Sequence, residues 1–210
     1  MTRLYLSPMR VLFIFLTAAV VTNWPSAARA QFSPAPGTYE LANGARGSAT
    51  LRLALAEGAE PTRLVGVKNG RERSFRPAEI IAFSVAGRRF VRVDNFRFHS
   101  GTAAGSAEPA LLETVETGAV ELFNYYYQVE MGTNFKAHVA LPVLRKAGTS
   151  TFFAYSPGRS PGLNAALAPN GFVAALFPAD AALQRQLATG SLARAQLAAA
   201  VRAYNLGNKH

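Results

Sequence analysis

The sequence predicts an α+β domain, in which an antiparallel β-meander or partly closed small barrel is covered by short C-terminal helices. Three observations carry this expectation. Apolar residues recur at every second position in successive short runs between Thr38 and Tyr155. Turn dipeptides such as Asn43-Gly44 and Asn69-Gly70 separate the first of those runs. After Asn164 the apolar spacing changes to four, as in Phe172 with Leu176 and Val173 with Phe177. Strands followed by helices indicate α+β and not a βαβ fold. No internal repeat is visible.

The elements follow in order. Arg3 and Arg10 precede an apolar run of 11 residues, Val11 to Val21, and Pro25 ends it. Ala28-Arg29-Ala30 supplies small residues where a signal peptidase reads, so residues 1–30 are expected to be a signal peptide cleaved before Gln31. The run is short of the roughly 20 residues of a spanning helix, so no stable membrane insertion is expected after cleavage. The absence of cysteine rules out a lipid-modified lipoprotein. The leader has no adjacent arginines, which points to a Sec-type route into the periplasm or beyond.

Residues 31–163 then read as the antiparallel body, and 164–210 as a helical segment packed on it within one domain. Gln31 to Gly37 holds Pro34 and Pro36 and should be an extended lead-in. A short strand is expected from Thr38 to Leu41, and alternating strands over Ser48–Leu55, Arg63–Lys68 and Arg71–Phe75. Pro77 to Val93 reads as the central hairpin, with Ile81, Phe83, Val85, Val91 and Val93 on one face across a link of Ala86 to Arg89. Ser84, Arg88, Arg92 and Phe90 are placed on the other face.

Asp94 to Phe98 continues that strand, and Ser100 to Pro109, rich in glycine, alanine and serine, reads as a loop that could serve as a lid. Leu111 to Tyr127 is a hairpin with Thr117-Gly118 at its tip. Its second strand has aromatics on both faces and should be buried on both sides. Asn134 to Arg145 and Thr151 to Tyr155 complete the sheet, with Pro142 marking an edge or a bend. Asn170 and Ser191 are expected helix caps, Asp180 lies in a favourable first turn, and Gly190 and Gly207 end helices. The last helix should turn Leu197, Ala200, Val201 and Tyr204 inward.

Asn43-Gly44, Pro77-Ala78-Glu79-Ile80 leading into Ala82-Phe83, Leu122-Phe123-Asn124-Tyr125 and Val201-Arg202-Ala203-Tyr204-Asn205 together resemble a group of small exported bacterial proteins of unknown function. The resemblance covers most of the chain after the leader. It implies export and a single α+β domain, and it transfers no activity, ligand or site residue.

The full chain carries 22 basic and 12 acidic residues, a net +10. Three of the basic residues lie in the leader, which leaves 19 against 12, or +7. The charges are interspersed and read as a solubilising surface, or as a means of attraction to anionic envelope components. Nucleic acid is not an expected partner of an exported chain.

Candidate chemistry is sparse. Gly158-Arg159-Ser160-Pro161-Gly162 fits the nucleophile string of serine hydrolases, but Pro161 removes the amide that should help form the oxyanion hole. A proline-glycine turn is the preferred reading of this string. His99, His138 and His210 share no metal-ligand spacing, so neither metal nor cofactor is expected. Glu113 or Glu116 could approach Glu121 across their hairpin as the carboxylate pair of a glycosidase, or each could oppose an arginine. The best binding candidates are Tyr125, Tyr126 and Tyr127 with Arg88, Arg89 and Arg92, because aromatic faces stack on sugars and guanidinium groups pair with anions.

The preferred reading is a non-enzymatic binding domain of the bacterial cell envelope, whose partner is an envelope protein or glycan. A periplasmic hydrolase of esters or glycans is the alternative.

Overall fold

The computed structural model describes residues 33–55, 62–100, 103–107, 109–131, 135–157 and 170–208. The expected signal peptide and the Ser160 string therefore lie outside the described residues. Ala35–His210 forms one compact unit.

Among the described residues, twelve strands build one sheet. They are β1 (Ala35–Leu41), β2 (Arg46–Ala54), β3 (Arg63–Lys68), β4 (Arg71–Phe75), β5 (Ile80–Val85), β6 (Arg88–Val93), β7 (Phe96–Ser100), β8 (Ala103–Ala107), β9 (Ala110–Glu116), β10 (Val120–Met131), β11 (Phe135–Lys146) and β12 (Thr151–Ala154). Three helices of the described residues follow: α1 (Gly171–Ala174), α2 (Ala181–Thr189) and α3 (Arg194–Gly207). The spatial order is β4-β3-β2-β1-β5-β6-β9-β10-β11-β12-β7-β8. Every pairing is antiparallel except β12 with β7. The mixed α+β architecture, a large antiparallel sheet followed by short helices, is the one the alternating pattern predicts.

The connection from β6 to β7 shapes the sheet. Only Asp94 and Asn95 join them, yet β9 to β12 lie between them in the spatial order. Five inter-strand steps of a flat sheet would separate β6 from β7 by about 24 Å. A two-residue link reaches about 10 Å. The sheet from β6 round to β7 must therefore curl, and no ladder closes the seam between those two strands. Its inner face holds one core of Phe96, Ala110, Leu112, Phe123, Val143, Phe152 and Ala154. Phe96 is its centre, with ring centroids 5.1 Å from both Tyr125 and Phe152.

The outer face of β10 and β11 carries Val120, Leu122 and Leu144 into a second core with Val173, Phe177, Leu183, Leu187, Leu197 and Val201 of the helices. β10 is thus buried on both faces, as its two-sided aromatics predict. Pro142 does not mark an edge, since β11 is flanked by β10 and β12.

Local chemistry sets the turns. Asn69-Gly70 and Ala86-Gly87 all have positive φ, the conformation that two-residue hairpin turns require. The second turn corrects the predicted facing of the central hairpin. It places Val85 opposite Arg88 and Phe83 opposite Phe90. Phe90 therefore shares the face of Phe83, stacked at 4.5 Å, while Val91 and Val93 fall on the other face with Ser84 and Arg89. An even-numbered link pairs odd with even positions, and only an odd-numbered link would have kept Phe83, Val85, Val91 and Val93 on one face.

The Ser100–Pro109 loop is also corrected. Ala103–Ala107 is strand β8, paired with β7. Gly105 is required there, because a Cβ would lie 2.3 Å from the Phe98 ring.

The helix caps differ in part from expectation. The Asp180 carboxylate accepts from the amides of Ala182 and Leu183, and Gly190 closes α2 in the left-handed conformation. Asn170 stands at the N-cap of α1, as expected, but its side chain pairs with the backbone of Ser156 instead of capping the helix. Ser191 is not the cap of α3, which begins at Arg194 after Ala193.

Candidate functional site

The six arginines and tyrosines singled out in the sequence do not form one patch. They divide between the two faces of the sheet. Arg88 and Tyr126 meet on the outer face through Glu113 of β9. The Arg88 Nε donates to Glu113 Oε1 at 2.6 Å, and its Nη2 donates to Glu113 Oε2 at 3.1 Å and to the Tyr126 hydroxyl at 2.7 Å. The Tyr126 hydroxyl donates to Glu113 Oε2 at 2.5 Å, and the Asn124 amide donates to the same oxygen at 2.9 Å. Tyr126 is buried, and Arg88 and Glu113 are nearly so.

Burial raises the Glu113 carboxyl, but the hydrogen bonds from Arg88, Tyr126 and Asn124 outweigh it and hold the group below its ordinary pKa. Burial, and then the Glu113 carboxylate, push the Tyr126 hydroxyl well above its ordinary value. A carboxylate held ionised beside a phenol held protonated keeps its charges through neutral pH, and neither is tuned for proton transfer there.

Tyr125 belongs to the inner core and Tyr127 stacks on it at 5.6 Å. Burial, followed by the influence of Tyr127, raises the Tyr125 pKa. Arg92 donates to the Ala78 carbonyl at 2.8 Å and pairs with Asp94 at 3.1 Å. The three candidate glutamates each hold an arginine: Glu113 with Arg88, Glu121 with Arg145 at 2.6 Å, and Glu116 with Arg202. Among the described residues no group of histidines and carboxylates could hold a metal ion. His99 and His138 lie exposed at separate strands, β7 and β11.

Arg89 is placed differently. Its register neighbours are Ser84 on β5 and Thr114 on β9. Ser84 in turn opposes Thr38 on β1, which opposes Ser48 on β2. Ser48, Thr38, Ser84 and Arg89 therefore form one polar row across four strands, on a single face. The row lines an open cleft of ≈ 440 Å³ together with Glu40, Arg46 and Ala82. The Arg46 Nη2 donates to Glu40 Oε1 at 3.0 Å one step along the strands. The hydroxyls of Ser48, Thr38 and Ser84 and the guanidinium of Arg89 bond to no other described residue. Thr38, Ser48 and Arg89 are exposed and Ser84 is half-buried.

The polar row was not visible in the sequence. Its members are 10, 46 and 5 positions apart along the chain. Only the pairing register of β2, β1, β5 and β6 aligns them. The signal the sequence does hold is the alternation over Ser48–Leu55, which sets Ser48, Thr50 and Arg52 on the face opposite Leu51 and Leu53.

No protein-family model, curated protein or solved structure matches the chain.

Proposed function

We propose that the chain is an exported, non-enzymatic binding domain of the bacterial cell envelope, and that it holds a polar envelope component in the cleft across β2, β1, β5 and β6. The observation that carries this reading is the row of Ser48, Thr38, Ser84 and Arg89. Its four polar side chains face an open cleft and spend none of their hydrogen-bonding capacity within the described protein. A ligand site is expected to be concave and to hold a few convergent polar groups. The Arg88–Glu113–Tyr126 network supports the reading from the other face, because it satisfies itself and serves to pin β6, β9 and β10 together. The basic surface suits the anionic surroundings of an envelope.

The test has two parts. Amino-terminal sequencing of the protein recovered from the periplasm should begin at Gln31; a chain retained in the cytoplasm with its leader contradicts export. Cosedimentation with isolated envelope polymers should be lost in Thr38→Trp, which fills the middle of the cleft from an exposed position. Sedimentation unchanged by that substitution removes the cleft as the site.

A further inference from the structure

We infer that the ligand of this cleft is an anionic polysaccharide, a linear chain of pyranose units bearing carboxylates, laid across the strands with an acid group on Arg89. The inference rests on the cleft being the binding site and specifies what occupies it. Four features of the row lead there.

The first is spacing. Adjacent strands lie about 4.8 Å apart, so Ser48, Thr38, Ser84 and Arg89 are set at regular steps over roughly 14 Å. A pyranose unit advances a linear chain by about one such step, so successive units meet successive side chains. The second is chemistry. Serine and threonine hydroxyls both donate and accept, as sugar hydroxyls do, so either orientation of a sugar hydroxyl finds a partner. The third is charge. Arg46 is neutralised by Glu40, whereas Arg89 has no acidic partner among the described residues. Its planar fork matches a carboxylate with two parallel hydrogen bonds.

The fourth feature separates a glycan from a peptide. An extended peptide binds a sheet by adding to a free strand edge, with pockets for alternate side chains. β2, β1, β5 and β6 have neighbours on both sides, so the cleft offers no edge. Its row presents short hydroxyls instead of apolar pockets.

Calorimetric titration of the protein with oligogalacturonates, oligomannuronates and hyaluronate oligomers of two to eight units tests this. At least one acidic series should bind, with affinity rising up to about the length of the row, roughly three to four units, and then levelling off. The neutral cello-oligomer of the same length and polyglutamate should each bind at least about tenfold more weakly. Arg89→Ala should weaken the acidic oligomer by about tenfold or more, and Arg89→Lys by less. Arg89 is exposed, and unchanged circular dichroism confirms that the variants fold.

Equal binding of the neutral oligomer, or indifference to Arg89→Ala while Thr38→Trp still abolishes binding, overturns the acidic ligand and leaves the cleft standing. Polyglutamate binding as tightly as the sugar acid overturns the saccharide. Failure of all three acidic series overturns the inference. Binding that survives Thr38→Trp overturns it together with the cleft.

Discussion

At the scale of residues, Glu113 is the group on which the outer face depends. Arg88, Tyr126 and Asn124 all direct hydrogen bonds to it. Glu113→Gln keeps the shape and removes the charge, and should lower stability at neutral pH by about 2 kcal/mol, read by chemical denaturation. The sign of its pH dependence follows from the lowered folded-state pKa. The contribution is fully present above the ordinary value of 4.5 and is lost as pH falls through the lower folded value. The difference between wild type and Glu113→Gln should therefore shrink on acidification through that window, and a difference that grows there contradicts the ion-paired assignment. Arg88, Tyr126 and Glu113 all stand out in the sequence, Glu113 as a glutamate that could oppose an arginine, but their meeting does not. Glu113 lies 25 residues from Arg88, and its role depends on β6 pairing with β9 across an intervening hairpin.

At the scale of elements, α3 is fastened to the sheet by one buried amide. Asn205 Oδ1 accepts from the Val120 amide at 3.0 Å, while its Nδ2 donates to the carbonyls of Val120 at 2.8 Å and Thr117 at 3.3 Å. Gly118 makes room, since a Cβ there would lie 2.4 Å from the Asn205 side chain. Asn205→Ala should cost about 2–3 kcal/mol and raise hydrogen exchange in α3 and at the β9–β10 turn ahead of the inner core. Uniform loosening of the whole chain would contradict that local role. The elements themselves were largely legible, because alternation marks strands and asparagine-glycine pairs mark turns. Facing was harder to read. The facing of the β5–β6 hairpin depends on whether its link holds an even or an odd number of residues; the positive-φ pair Ala86-Gly87 makes it two, which sets odd positions opposite even ones. β8 was hidden because Gly105 and its small neighbours resemble a loop, and its pairing with Phe98 is a tertiary fact.

At the scale of the whole molecule, the short β6–β7 link forces the curl, and Phe96 fills the interior that the curl creates. It is fully buried among Phe98, Tyr125 and Phe152. Phe96→Ala should cost about 3–5 kcal/mol. A thermal midpoint close to wild type would mean that the sheet does not close around this side chain. The polar row sits on the same face, outside the curl, where β5, β1 and β2 extend the sheet beyond β6. The fold thus separates a filled aromatic interior from an open polar cleft on one continuous surface. Among the described residues, no helix is long and apolar enough to cross a membrane.

The proposed binding role centres on that cleft, and amide chemical-shift mapping of the protein titrated with an acidic oligosaccharide tests it most directly. Shifts concentrated at Thr38, Ser48, Ser84 and Arg89 and their strand neighbours are the predicted result. Shifts centred on the helices, or on Arg88 and Tyr126 of the opposite face, would contradict it.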